Sequence, residues 1–599
     1  MKNYFQEGKE SIVGVVLWVV TFFVYLSTLA PTVEFIDSGE LATVACTLGI
    51  PHPTGYPLFT LVGRIFTMLP IAQEPIVRLH IMSALFTSLA ATAFYFLLLN
   101  LLGNAKTEIQ RDHKIVSSAF ATLALAFSQT FWGQGVSVEV YSLHLLLITC
   151  TTLFFIKAIH EDRASWWFLF AFILGLSFTN HLTTILLAPA FLFLFFVEHK
   201  NVKEAFRRIG ALVLPFVLGL SVYLYLPVRA LEFPLLNWGN PQTFEKFWWH
   251  FTGKQFRVWM FSSTDAAKEQ FDYFLQSTPA EFYYIPLIFA LVGFLSLMIS
   301  DRRKFIFILL LLVSCVGYSI NYDIHDIDSY FLLAFVALMS FAAFGIRWVL
   351  SIMNNIRITV LIIALSGLLA LQIVNNWNEV DRSKNYIVED YAKNILRNLP
   401  RNAIIISYQW DYFVSAAYYL QRVKNFRPDV VVLDKELFRR SWYIPQVEKM
   451  YPSVMNKSKN ETELFLKELY KFEHDLPYDF TSIEGRYTDL LKSIVDKNSG
   501  EVSCFVTSEV EPNYTTGYNR IPYGFAYLLT KDSAYIQCPF PEIQFRNLNH
   551  NDKYIQQVKQ FSATVLYQRS VYEKYYGKDS LSSLYHQKFL HFKVSNDSP

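Results

Sequence analysis

Apolar residues in this chain form long unbroken runs rather than two-residue or 3.6-residue alternations, and the runs stop near Val374. A helix needs roughly 20 apolar residues to cross the hydrocarbon core, and about eleven runs approach that length. They span 12–30, 78–102, 115–131, 141–158, 165–179, 182–198, 209–227, 283–299, 305–321, 329–349 and 357–375. The basic short loops hold Lys106, Arg111 and Lys114; Lys157 and Arg163; Lys200, Lys203, Arg207 and Arg208; Arg302, Arg303 and Lys304; and Arg347 with Arg357. Lys and Arg stay on the cytoplasmic side. With the first run entering from that side, all of these clusters fall inside. Segments 31–77, 132–140, 180–181, 228–282 and 322–328 then lie outside, and an odd number of crossings puts everything after position 376 outside too. Lys2, Lys9 and the small residues at Ser27–Ala30 also fit a cleaved leader. Pro31 just past that point and Glu7 and Glu10 within it favour a retained helix, and the downstream topology is the same either way.

After Asn376 the pattern changes to a mixed, charged one. Strands are predicted at 403–407 and 429–433 and helices at 411–423 and 441–450, an alternation that indicates an α/β unit. The expected organisation is a membrane domain over 1–376 and a soluble domain over 377–599. Composition agrees: 53% of residues are hydrophobic and 17% charged, against about 25% charged in soluble proteins. Lys plus Arg number 52 and Asp plus Glu 50, a balance that gives no reason to expect a nucleic-acid partner. Five cysteines exclude a disulfide scaffold, and none have metal-ligand spacing. Cys504 and Cys538 share the outer segment, where a pair can form.

Ionisable residues beside membrane spans are costly and mark functional sites. Here they gather on the outer side: Glu34, Asp37, Glu40 and His52, then Glu139 and His144, then His181, then Asp323, His325, Asp326 and Asp328. That distribution suits an active-site vestibule better than a transport path, which needs polar groups at mid-membrane in several helices. The first outer loop is the most informative, with Asp37-Ser38-Gly39-Glu40-Leu41 followed by Leu48-Gly49-Ile50-Pro51-His52-Pro53-Thr54-Gly55-Tyr56-Pro57. Its prolines and glycines fix an irregular backbone. A rigid loop presenting a carboxylate meets the need of a general base. Two plainer roles compete: Asp37 as the N-cap of a helix starting near Ser38, and Glu40 as its capping-box partner.

The stretch Leu29 to Pro70 resembles the signature of the domain-of-unknown-function 2723 family, membrane proteins related to protein O-mannosyltransferases in the GT-C glycosyltransferase superfamily. Further similarity lies in Glu139-Val140-Tyr141-Ser142-Leu143, in Leu174 to His181, and, more weakly, in Arg427-Pro428-Asp429-Val430-Val431-Val432 with Trp442-Tyr443-Ile444. The resemblance implies a GT-C enzyme that moves a sugar, plausibly mannose, from a polyprenyl-phosphate carrier to a hydroxyl on the extracytoplasmic side. It also implies that Asp37 matches the catalytic carboxylate of such enzymes, and that no metal or other cofactor is needed. The expected fold is therefore a polytopic α-helical GT-C membrane protein with a C-terminal extracytoplasmic α/β domain. It would sit in the cytoplasmic membrane of a bacterium or the endoplasmic-reticulum membrane of a eukaryote.

An acceptor Ser or Thr hydroxyl of an exported protein needs a base within hydrogen-bond reach, and the leaving phosphate needs cationic or hydrogen-bonding support. Asp37 is the candidate base and Glu40 its neighbour; Arg64, Arg229, His52 and His181 are candidates for the donor phosphate; Glu139, Lys254, Arg257 and Trp259 for acceptor or lipid contact. Arg64 also reads as an interfacial snorkelling residue, and the Trp-rich stretch around Lys254 as an interfacial belt. The run Asp323–Asp328 is the one place where a divalent ion is considered. Two alternatives stay open: a GT-C transferase acting on a surface glycan or lipid, and a non-enzymatic flippase for a polyprenyl-linked glycan.

Overall fold

The computed structural model describes residues 2–353, 355–537, 543–547 and 553–594. It divides into two compact units. The first comprises Met1–Ala30, His52–Leu231 and Pro241–Ser383; the second comprises Pro31–Pro51, Glu232–Asn240 and Lys384–Pro599. The boundary expected at 376/377 falls inside a helix that runs from Asn355 to Val380, because the apolar run ends before its helical backbone does. The second unit also takes in two earlier segments, Pro31–Pro51 and Glu232–Asn240.

In the membrane unit all the apolar runs are helical. Among the described residues six helices are long and apolar enough to cross a bilayer: Gly8–Ser27, Pro75–Leu102, Tyr141–Glu161, Val202–Leu231, Ile327–Ile352 and Ile358–Val380. The remaining runs are shorter, as in Ala164–Phe178 and Leu182–Glu198, or begin with a charged turn, as in Glu108–Ala126 and Arg302–Ser319. The helices Thr264–Phe282 and Ile285–Ser300 meet at a bend of 109°. Lipid offers no hydrophobic drive for helix association, so close packing at small residues takes its place. At Gly293 and Gly345 a Cβ would overlap the Phe341 and Phe289 carbonyl oxygens, so the helices Ile285–Ser300 and Leu332–Ile352 cross backbone to backbone.

A break between helices leaves backbone groups that need partners. Here side chains supply them. Gln372 Nε2 donates to the Ala124 carbonyl at 2.9 Å and Asn376 Nδ2 to the Phe127 carbonyl at 2.7 Å. The buried Glu281 carboxylate accepts from the Thr130 N–H at 3.0 Å and from its hydroxyl, where the chain restarts as a helix at Gln129.

The second unit is built on a five-stranded sheet: β1 (Ile404–Ser407), β2 (Val431–Asp434), β3 (Cys504–Thr507), β4 (Asn519–Tyr523) and β5 (Ala526–Thr530), in the order β2-β1-β3-β5-β4. β1 pairs in parallel with both β2 and β3, while β5 runs antiparallel to β3 and closes a hairpin with β4. Strands covered on both faces read as continuous apolar runs, and every residue of β1, β2 and β3 is buried. The expected α/β alternation is thus present, with β2 at Val431–Asp434 and the following helix at Tyr443–Met450. Cys504 is buried in β3; Cys538, its suggested partner, lies outside the described residues.

The helix Ser38–Thr47 belongs to this unit and is buried from Ser38 to Ala45. It packs on the helix Ser415–Arg422 so closely that a Cβ at Gly39 would overlap the Ser415 carbonyl oxygen. Ile50 forms a parallel bridge with Asn237, which brings the segment Glu232–Asn240 into the same unit.

Candidate active site

Asp37 occupies the N-cap position of the helix Ser38–Thr47, yet its side chain makes no capping bond, and its backbone sits at φ −89°, ψ −2° rather than in the extended region. An N-cap side chain is normally spent on the N2 or N3 amide. Here Oδ1 instead accepts from the Trp410 indole N–H at 2.6 Å. The backbone reinforces this: the Ile36 N–H donates to the Asp411 carbonyl at 3.1 Å. Ile36 is held at φ +62°, a conformation that is costly for a β-branched residue, directly before the carboxylate. Glu40 is buried, and its N–H donates to Ser415 Oγ at 2.9 Å.

Trp410 opens a π-helix, Trp410–Val414, directly after β1, and single π turns are common at functional sites. Its ring stands edge-on to Trp238 at 5.3 Å, and Trp238 packs on Trp442 at 4.8 Å. The indole is thus wedged before it reaches Asp37.

The end of β2 carries a second buried polar group. Burial pushes the Asp434 carboxyl up to about 7, although the Leu437 N–H, donating at 2.8 Å, opposes the shift. Next to it Lys435 pairs with Glu436 at 2.7 Å and Glu511 at 2.8 Å and lies over the Tyr408 ring at 4.7 Å. Burial works against the Lys435 ammonium, but these two carboxylates more than offset it and raise its pKa.

Within the membrane unit His52 and His181 are brought together through Tyr56. The Tyr56 hydroxyl shares a 3.0 Å hydrogen bond with His52 Nε2, and its ring lies parallel to His181 at 5.9 Å. Thr183 Oγ1 sits between His181 Nδ1 at 2.7 Å and His144 Nε2 at 3.0 Å. Tyr141 packs against both His181 and Tyr330. Phe256 extends the cluster, edge-on to His52 at 6.3 Å and stacked on Trp259 at 5.6 Å. The backbone of this loop is tied to the next outer segment, with the Asp323 N–H donating to the Trp259 carbonyl at 3.0 Å.

The other candidates also lie in the membrane unit. Arg64 is half-buried on the helix Pro57–Met68, and Arg229 is half-buried on Tyr225–Leu231, within electrostatic reach of the Tyr225 hydroxyl. Glu139 is half-buried in the turn before Tyr141, where its carbonyl accepts from Ser142 Oγ at 3.1 Å. Lys254 covers the Trp249 ring at 4.2 Å, and the exposed Arg257 reaches Thr252 Oγ1 at 3.4 Å. Asp323 and Asp328 accept from different partners, Ser262 and Tyr273. Sequence reasoning missed Tyr56, Thr183, Tyr330, Trp410 and Ser415. Tyr56 follows His52 by four residues in the quoted loop motif and was within reach of it. Trp410 lies 373 positions from Asp37, with no local signal linking the two.

Residues 37–204 match the family model described as Protein O-mannosyl-transferase TMEM260 N-terminal domain, and residues 388–470 match TMEM260-associated domain 2. Protein O-mannosyl-transferase TMEM260 of Mus musculus is 27% identical over 461 residues, covering 72% of this chain and 63% of its own. The Dictyostelium discoideum protein of the same name is 23% identical over 490 residues, covering 72% of this chain and 58% of its own. The chain thus spans less than two thirds of the length of these curated relatives. Among solved structures, ArnT from Cupriavidus metallidurans in the apo state aligns with a TM-score of 0.54 at 13% identity, over 87% of this chain and 98% of that one. This likeness bears out the expected GT-C membrane fold with its C-terminal α/β part.

Proposed function

We propose that this chain, protein O-mannosyltransferase-like in sequence and GT-C in fold, transfers a sugar from a polyprenyl-phosphate carrier to Ser or Thr hydroxyls of exported proteins, with Asp37 as general base. Mannose is the sugar that the names of its relatives suggest. The supporting observation is the Asp37 carboxylate itself, withdrawn from helix capping and oriented by the Trp410 indole at 2.6 Å.

In the proposed step the acceptor O–H gives its proton to Asp37 as its oxygen attacks the anomeric carbon. The bond from that carbon to the phosphate oxygen breaks, and the electron pair leaves with the polyprenyl phosphate. One displacement inverts the anomeric centre. The departing lipid phosphate is a stable anion and needs no proton donor, only positive charge and hydrogen bonds. Arg64, Arg229, His52 and His181 are assigned that role, and with them no divalent ion is required. Glu139, Lys254, Arg257 and Trp259 are assigned to acceptor or lipid contact. The sided charge of the loops supports an extracytoplasmic active site.

The test is product analysis. Purified chain in lipid nanodiscs, given polyprenyl-phosphate mannose and Ser/Thr-containing peptides of exported proteins, is expected to add one hexose to a hydroxyl, detected by mass spectrometry. Hexose found only on lipid or glycan acceptors would overturn the protein-acceptor reading. Donor moved across the bilayer but chemically unchanged would overturn the transferase reading.

A further inference from the structure

The parallel part of the C-terminal sheet contains a topological switch point. From β1 the chain goes to β2 on one side, then crosses to β3 on the other. In open α/β sheets the crevice at the carboxyl ends of two such strands is where ligands bind. At this crevice the strand ends are held together by the Thr507 hydroxyl, which donates to Ser407 Oγ at 3.0 Å, and the Gln409 N–H donates to the same oxygen at 3.1 Å.

Two residues past each strand end stand Gln409 and Glu509. The Gln409 side chain is only 5% exposed. Its Oε1 accepts from the Tyr391 hydroxyl at 2.9 Å, while Nε2 is buried with no partner among the described residues. Glu509 is complementary: Oε1 accepts from Ser508 Oγ at 2.7 Å, and Oε2 is buried with no partner among the described residues. Both border Tyr391, whose hydroxyl pKa is raised first by burial and then by the Glu509 charge. A buried donor or acceptor left unmade is destabilising, and two of opposite kind at one switch point mark a place where a ligand completes the bonding.

The chemistry restricts that ligand. Glu509 repels phosphate or carboxylate, and the Gln409 amide N–H, a donor, offers no lone pair to a cation. What satisfies both is a neutral group that donates to a carboxylate and accepts from an amide, as sugar hydroxyls do. The subsite is also one residue from the indole that holds Asp37.

We propose that Gln409 and Glu509 form a sugar-hydroxyl subsite at the carboxyl ends of β1 and β3, binding a hexose beside the Asp37 loop. The assignment of hexose rests on the glycosyltransferase reading above. The test is saturation-transfer NMR on the purified full-length chain in detergent, titrated with methyl α-mannopyranoside. Wild type is expected to bind the glycoside. Glu509→Gln keeps the Ser508 bond and exchanges the unpartnered oxygen for an amide nitrogen, and Gln409→Glu keeps the Tyr391 bond and exchanges the unpartnered nitrogen for a second carboxylate oxygen. Each is expected to weaken glycoside binding roughly tenfold, Glu509→Gln with an unchanged melting temperature and Gln409→Glu with a lowered one, because it buries a second carboxylate beside Glu509. Asp37→Asn is expected to bind like wild type. Wild-type-like affinity in both subsite variants overturns the subsite, as does no saturation transfer to the glycoside in wild type. Loss of acceptor-peptide binding with unchanged glycoside binding overturns it too, by assigning the crevice to peptide. The glycosyltransferase reading fails separately, if no hexose transfer is found while the glycoside still binds in a Glu509-dependent way.

Discussion

In the membrane unit, several buried hydroxyls are satisfied within their own helices: Thr149 bonds the Leu145 carbonyl at 2.5 Å, Thr152 the Ile148 carbonyl at 2.7 Å and Ser340 the Val336 carbonyl at 2.8 Å. In the α/β unit the bonds around the candidate base and the strand ends join distant segments. Ser415 accepts from the Glu40 N–H across 375 positions, Trp410 donates to Asp37 across 373, and Thr507 donates to Ser407 across 100. Lipid explains the first habit, because a group satisfied one turn away needs nothing from its surroundings. The second has a different consequence: the candidate base is positioned by tertiary structure, so changes far from it in sequence should alter its chemistry.

The strongest way to break that dependence is at Gly39. A side chain there meets the Ser415 backbone rather than a flexible neighbour, and overpacking of this kind costs about 1–3 kcal/mol or more. Gly39→Val should detach the helix Ser38–Thr47 from Ser415–Arg422 and abolish transfer. Limited proteolysis is expected to show early cleavage within 31–51, while the membrane helices keep their circular dichroism. A smaller effect is expected from Trp410→Phe, which keeps an aromatic ring against Trp238 but removes the donor to Asp37. Bonds to charged groups are worth about 1.5–3 kcal/mol, so kcat should fall roughly tenfold or more with the melting temperature nearly unchanged. An equal fall in stability would mean that Trp410 is only a packing residue.

The smallest effect concerns Asp434. Its folded value of about 7 lies above the ordinary 3.8. Between those values the folded unit keeps a proton that the unfolded chain has released, so this group's contribution to stability declines as pH rises from about 4 to about 7 and is level above that. Asp434→Asn retains an acceptor for the Leu437 N–H and removes the slope. It should raise the melting temperature of the α/β unit by about a few degrees at pH 8 and leave it unchanged near pH 4. A pH-independent difference would contradict the assignment.

The same contrast explains how much was legible in the sequence. The apolar runs, their sided loop charges and the strands at 404–407 and 431–434 could all be read because each signal is local. Asp37 stood out because it lies in a Pro- and Gly-rich loop between a membrane run and a short helix. Its freedom from capping duty was not legible, since Trp410 reaches it only after the sheet has formed. β3 and the β4–β5 hairpin were not anticipated either: β3 is four residues long and is recognisable only once it pairs with β1 and β5. The assignment of 31–51 to the C-terminal unit depends on a helix crossing at Gly39 that no spacing rule reveals.

The most direct measurement is the rate of hexose transfer from polyprenyl-phosphate mannose by Asp37→Asn beside wild type, both purified in the same lipid and matched for melting temperature. A general base contributes about 100-fold or more, so the variant should retain donor binding and lose at least that much in kcat. Transfer at the wild-type rate would contradict the assignment of Asp37 as the base.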